Sequence, residues 1–126
     1  MAIFQKRSKR KSTGGRYKSA LSRKLHQRGN HPARTTVGEK RTQRTTTRGG
    51  AVKQKLLSDK TVNVRDPKKG TQVKATIERV AENPANRHFV RRNIVTKGAV
   101  VMTDKGKVRI TNRPGQEGSL QGVLTE

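Results

Sequence analysis

The sequence predicts an all-β protein: a small barrel-like or rolled sheet of about six strands, preceded by a long basic extended arm with a short helix. Three observations lead there. Apolar residues beyond Gly50 recur at every second position, the spacing of strands with one buried face. Gly, Pro, Asn and Asp punctuate those stretches at close intervals, and no long helical pattern competes with them. The first fifty residues hold fifteen Lys and Arg against one acid, Glu39, and their large apolar residues are only Met1, Ile3, Phe4, Tyr17, Leu21, Leu25 and Val37. So few cannot offset the entropy of ordering a backbone. The chain therefore divides into residues 1–50, a basic arm expected to be disordered when free, and residues 51–126, a barrel-like body.

Within the arm, Tyr17, Ala20, Leu21 and Leu25 follow helical spacing between Gly15 and Gly29. A helix this short is marginal in water and is expected to form on binding; a plain basic linker is the alternative. In the body, "TVNVR" alternates, "TQVKATI" puts Val73, Ala75 and Ile77 on one face, and "KVRIT" does the same with Val108 and Ile110. "RDPKKGT" and "TDKGK" supply turns, and Asn83-Pro84 separates "ATIERV" from the basic "NRHFVRRNIVTKG". The candidate core is Val52, Leu56, Leu57, Val62, Val64, Val73, Ile77, Val80, Phe89, Val90, Ile94, Val95, Val100, Val101, Met102, Val108, Ile110, Leu120, Val123 and Leu124.

Charge narrows the function. Lys and Arg number 31 against 8 Asp and Glu, a formal charge of +23 on 126 residues, which calls for a polyanionic partner. Nucleic acid meets that demand through the release of counterions condensed on its phosphates. A membrane surface would need an apolar face or lipid anchor as well, and the sequence offers neither, so a cytoplasmic protein without a membrane partner is expected. His26, His31 and His88 have no Cys beside them and no zinc-binding arrangement, so no metal is expected. "STGGR" lacks the Gly-Lys-Ser/Thr order of a phosphate-binding loop. Several of the eight acids fall in turns, at strand ends or at the chain terminus, and they read as solvated or turn residues rather than as a general acid or base. A non-enzyme without cofactor or small-molecule substrate is the expectation. Aromatic residues are too scarce for base stacking along a single strand, which favours recognition of folded RNA through its shape and backbone.

The segment "RKSTGGRYKSALSRKLHQRG" carries a resemblance, in which Thr13, Gly14 and Gly15 follow a run of Arg and Lys and precede a basic helix candidate. With "TRGG" (47–50), "NPANRHFVRRNIVTKGA" (83–99) and "TNRPGQEGSLQGVL" (111–124), it resembles the archaeal and eukaryotic small-subunit ribosomal protein S8e family over nearly the whole chain. The short length resembles the archaeal members. Leu25-His26-Gln27 departs from the more charged sequence expected there.

The resemblance implies a structural constituent of the small ribosomal subunit, with a barrel-like body and an arm laid into small-subunit rRNA beside neighbouring small-subunit proteins. The arm residues expected on rRNA are Lys6, Arg7, Lys9, Arg10, Lys11, Thr13, Arg16 and Lys18, then Arg23, Lys24 and Arg28, then Arg34, Arg41, Arg44 and Arg48. Gly14 and Gly15 let the backbone approach a phosphate with no Cβ in the way. On the body, Arg91, Arg92, Lys97 and Arg113 are expected to form a docking patch, with a solvated charge run as the plainer alternative. Two rival functions fit the composition: a ribosome-assembly factor sharing the domain, and an architectural DNA-binding protein.

Overall fold

The computed structural model describes residues 7–18, 24–27 and 29–125. The chain divides into two compact units, Met1–Pro32 and Ala33–Glu126. The second unit thus begins well before Gly50, where the composition changes. The physical reason is a strand that carries no apolar residue. β1 (Arg41–Thr46, "RTQRTT") is exposed along its whole length and pairs antiparallel with β2 (Val52–Ser58), and Gly49-Gly50 lies at the tip of that ribbon. A period-two search for buried faces cannot detect a strand that buries neither face.

Five further strands close into a barrel: β3 (Thr61–Arg65), β4 (Gln72–Glu82), β5 (Val100–Thr103), β6 (Gly106–Ile110) and β7 (Leu120–Leu124). Each neighbouring pair in chain order is antiparallel. With an odd number of alternating strands, the first and last must run the same way, and β3 and β7 close the barrel as its one parallel pair, Val62 beside Leu120 and Val64 beside Gly122. Six strands thus lie beyond Gly50, as the alternation predicts, and β1 adds a seventh.

The inward residues are mostly β-branched, which suits a pleated surface packed on one side. The core comprises Leu56, Val62, Val64, Ala75, Ile77, Val80, Val95, Val101, Val108, Ile110 and Leu120. Along β4 the buried positions change parity, from Ala75 and Ile77 to Val80, because two residues of β4 face one of β5 between Ile77 and Arg79. A second irregularity falls between Val80 and Glu82. Such bulges bend a strand, and here they let an eleven-residue strand follow a tight barrel. Four expected core residues lie outside: Val52 is 60 % exposed near the ribbon tip, Val73 is 45 % exposed near the start of β4, and Val100 and Met102 alternate with the buried Val101 and Thr103 and so sit half-buried on the outward face of β5.

The ribbon is fixed to the barrel at its base. Leu56 is fully buried, and its amide donates to the Pro114 carbonyl (2.9 Å). Residues 35–37 run between the end of β2 and the loop before β5: the Thr36 amide donates to the Leu57 carbonyl (3.0 Å), and the Val95 amide donates to the Thr35 carbonyl (2.8 Å). Buried Asp59 caps the turn into β3, its Oδ1 accepting from the amide and hydroxyl of Thr61 at 2.9 Å each, while Lys40 Nζ stands 3.8 Å from Oδ2. Among the described residues no helix is long and apolar enough to cross a membrane.

Candidate nucleic-acid interface

In the first unit, residues 9–17 form a small hairpin. The Tyr17 amide donates to the Lys9 carbonyl (3.0 Å), Arg10 and Arg16 pair antiparallel, and the Lys11 amide donates to the Gly15 carbonyl (2.8 Å). The Gly14 amide donates to the Lys11 carbonyl (3.0 Å), so Lys11 to Gly14 make a tight turn, and Gly14 follows at φ +86. A turn followed by a left-handed residue is a common three-residue hairpin connection, and glycine is its default occupant. Gly14 thus has a conformational role. Gly15 does not: a Cβ there would meet only Thr13 Oγ1, at 3.8 Å.

Every described residue of this hairpin is exposed. Its one apolar anchor is Tyr17, whose ring carries the Arg7 guanidinium at 3.8 Å and Lys11 Nζ at 5.6 Å. Such stacking holds two like charges near one another without a carboxylate. Arg10 Nη1 donates to the Gly14 carbonyl (3.2 Å), which leaves Lys9, Arg16 and Lys18 projecting from the same short element. Tyr17 therefore belongs to a hairpin rather than to the start of a helix. Of the expected helix, Ala20 and Leu21, with the predicted contacts Arg23 and Arg28, lie outside the described residues, as does Lys6. Leu25–Gln27 is a single 3₁₀ turn with Leu25 82 % exposed, following the exposed Lys24.

The β1–β2 ribbon repeats the design on a larger scale. Its tip is closed by the Gly50 amide to the Thr47 carbonyl (3.1 Å) and the Thr47 amide to the Ala51 carbonyl (2.7 Å). Gly49 and Gly50 both have positive φ, +91 and +85, with open space where a Cβ would be. Arg41, Arg44 and Arg48 are joined here by Lys53 and Lys55, and no acid lies between residues 40 and 58. Thr42, Gln43, Thr45, Thr46 and Gln54 fill the remaining positions with hydrogen-bonding groups.

On the barrel, the structure places Arg91 in the short helix α1 (Arg87–Arg91) and Arg92 at its C-cap. Asn86 caps the other end, its side chain accepting from the His88 amide (2.9 Å). The Ile94 amide donates to the Phe89 carbonyl (2.9 Å) and the Asn93 amide to the Val90 carbonyl (3.0 Å), with Asn93 left-handed at φ 48. This double-bonded helix end suits Asn next to glycine, and it turns Arg92 outward. Asn93 Oδ1 also accepts from the Val80 amide (3.3 Å), which ties the helix end to β4.

Arg34 is the other non-glycine residue with positive φ among the described residues, at 45°. Its neighbours hold it there: Ala33 packs beside Gly115, where a Cβ would meet the Ala33 methyl at 3.6 Å, and Thr35 Oγ1 donates to the Leu56 carbonyl (2.7 Å). Residues 33–37 thus touch both the loop that follows Arg92 and the loop that holds Arg113. Arg34, Arg92 and Arg113 lie on three segments that meet at one end of the barrel, and all three are exposed. Lys97 is exposed in the turn whose Gly98 amide donates to the Ile110 carbonyl (2.8 Å).

The structure adds exposed cations that the sequence motifs do not single out: Arg65, Lys68, Lys69 and Lys74 around the β3–β4 hairpin, Arg79 on β4, and Lys107 and Arg109 on β6. Their signal is nonetheless present. The alternation that turns Val108 and Ile110 inward turns Lys107 and Arg109 outward. By structural unit, Met1–Pro32 holds ten Lys and Arg and no acid, while Ala33–Glu126 holds twenty-one against eight, net +13. The body thus outweighs the first unit in charge. Several of its acids are committed to the fold: Asp59 as described, Asp66 accepting from the Lys68 amide (2.9 Å), Asp104 from the Thr76 amide (3.1 Å), and Glu117 from Asn112 Nδ2 (2.9 Å). Among the described residues, no group of three or more His, Asp or Glu could hold a metal ion.

Residues 4–125 match the family model described as Ribosomal protein S8e. The chain is similar to the small ribosomal subunit protein eS8 of Methanococcoides burtonii, 43 % identical over 98 % of each chain. It is 46 % identical to the protein of the same name from Nanoarchaeum equitans, over 98 % of this chain and 97 % of that one. With that of Halorubrum lacusprofundi the identity is 47 %, covering 97 % of this chain and 98 % of the other.

Proposed function

The chain belongs to the ribosomal protein S8e family, and on that premise we propose that it is a non-catalytic structural constituent of the small ribosomal subunit that binds and stabilises small-subunit rRNA. The observation that carries this reading is the β1–β2 ribbon: five cations, no acid, Gly-Gly at its tip, and neither face of β1 buried by its own chain. A lone two-stranded ribbon is marginal in water. Its sequence makes sense when phosphates stand along it, replacing the counterions that its charges would otherwise hold.

The major groove of an A-form helix is too deep and narrow for such a ribbon, so the ribbon lies along phosphates or the wide minor groove, where Thr and Gln side chains meet 2′-hydroxyls. The hairpin at residues 9–17 works alike at smaller scale. Arg34, Arg92 and Arg113 then seat one end of the barrel against the same RNA, with neighbouring small-subunit proteins and the cytoplasm as its setting.

Binding of the full chain to small-subunit rRNA fragments and to duplex DNA, followed across a salt series, tests the proposal. Tighter binding to folded rRNA is expected at every salt concentration. Equal affinity for the two would favour an architectural DNA-binding protein. Loss of the protein from mature subunits on a salt wash would favour an assembly factor.

A further inference from the structure

We propose that a groove on the outer face of the barrel holds one unpaired RNA nucleotide, with guanine preferred; this rests on the rRNA-binding reading above. The groove has a volume of about 860 Å³ and lies between α1 and the outward faces of β4, β5 and β6, within the roughly 300–1,000 Å³ of small-molecule sites. Pro84, Val90 and Val100 give it an apolar floor, and Arg87, Lys107 and Arg109 line it with positive charge.

The strand register orders these groups. Glu82 pairs with Val100 and Val100 pairs with Arg109, so acid, apolar residue and cation stand side by side on one face of three adjacent strands. With strands about 4.8 Å apart, Glu82 and Arg109 are roughly 10 Å from one another across Val100. The two charges are not spent on each other, since the ion pair formed within 4.0 Å among the described residues is Lys40 with Asp59. Lys107 lies two residues from Arg109 on the same face of β6, and both are exposed.

A nucleotide has the same order along its length: an anion at one end, flat apolar faces in the middle, and an edge of N–H donors at the other. The phosphate suits Lys107 and Arg109 on β6, the base covers Val90 and Val100, and the Glu82 carboxylate accepts from the edge. Guanine offers two adjacent donors, N1–H and the 2-amino group, to the two carboxylate oxygens, whereas uracil offers one. An acidic peptide would meet the same cations but brings no flat apolar face for Val90 and Val100 and no pair of adjacent N–H donors for Glu82.

Titration of the isotope-labelled full chain with GMP, UMP, inorganic phosphate and hexaglutamate tests this, read from the amide resonances of Gly98, Val100 and Arg109. GMP is expected to shift them, with UMP about ten- to a hundred-fold weaker, the range expected for losing one hydrogen bond to a charged acceptor. Glu82→Ala should abolish the preference, and Arg109→Ser should weaken both nucleotides. Equal response to GMP and UMP, a response to phosphate matching that to GMP, or a response to hexaglutamate alone would overturn the site. If the wild-type chain binds rRNA while the groove resonances stay still with GMP, only this inference falls; failure to bind rRNA at all overturns the reading it rests on.

Discussion

Gly122 of β7 and Val108 of β6 stand so close inside the barrel that a Cβ on Gly122 would overlap Val108 Cγ1 and lie 3.0 Å from the Arg109 carbonyl oxygen. One of those neighbours is backbone and cannot swing away. Gly122→Ala is therefore expected to destabilise the body by about 1–3 kcal/mol, the range for overpacking a filled core. Chemical denaturation measures it; an unchanged midpoint would show that the β6–β7 pair relaxes freely.

The two glycines of the first hairpin should separate. Gly14→Ala meets the left-handed conformation, a cost of roughly 1–2 kcal/mol, enough to depopulate so small a hairpin. Gly15→Ala leaves the hairpin intact, as judged by cross-strand contacts between Arg10 and Arg16. A fall of about tenfold in rRNA affinity with Gly15→Ala, equal to about 1.4 kcal/mol, would place RNA backbone against that residue. Undiminished affinity would make the hairpin a cationic tether.

Salt dependence apportions the contacts. Deleting residues 1–32 removes ten cations and leaves the ribbon and barrel complete. If each meets one phosphate, the slope of log K against log salt should flatten by roughly 7 to 9. Replacing Arg41, Arg44, Arg48, Lys53 and Lys55 with Ser in the full chain should flatten it by about half as much. A ribbon variant with the wild-type slope would remove the ribbon from the interface.

Charge reversal of Arg92 and Arg113 together tests the barrel end. Both are exposed, so the thermal transition should not move, while rRNA binding weakens and the salt slope drops by about 1.5 to 2. Binding that is indifferent to the pair would return these residues to a solvated surface.

Asn93 tests how Arg92 is aimed. Asn93→Gly keeps the left-handed helix end and loses only the bond to the Val80 amide, whereas Asn93→Ala loses both. Thermal denaturation should rank Ala below Gly, with Ala costing about 1–2 kcal/mol. The reverse order would mean that residue 93 leaves the left-handed conformation at little cost.

Much of the barrel is legible in the sequence because burying one face imprints period two on a strand, and "TVNVR" coincides with β3 from its first residue to its last. β1 is illegible for the opposite reason. A ribbon with both faces in solvent needs no apolar residue, and its strand character comes from its partner and from the Gly49-Gly50 turn. Tyr17 misleads because helical spacing with Leu21 and Leu25 says nothing about the cation stacking that holds it against Arg7. The convergence of Arg34 with the Arg92 and Arg113 loops depends on backbone bonds across sixty residues, such as Val95 to Thr35, which leave no local pattern.

The parallel seam between β3 and β7 has a kinetic consequence. Val62 must find Leu120, fifty-eight residues away, and no turn brings them together. The antiparallel neighbours can zip from local hairpins, but the seam forms only after the whole meander has curled round. Contacts of such long sequence separation slow folding. Stopped-flow refolding should therefore show the β5–β6 hairpin gaining protection ahead of β3, whose outer edge stays unpaired until the barrel shuts.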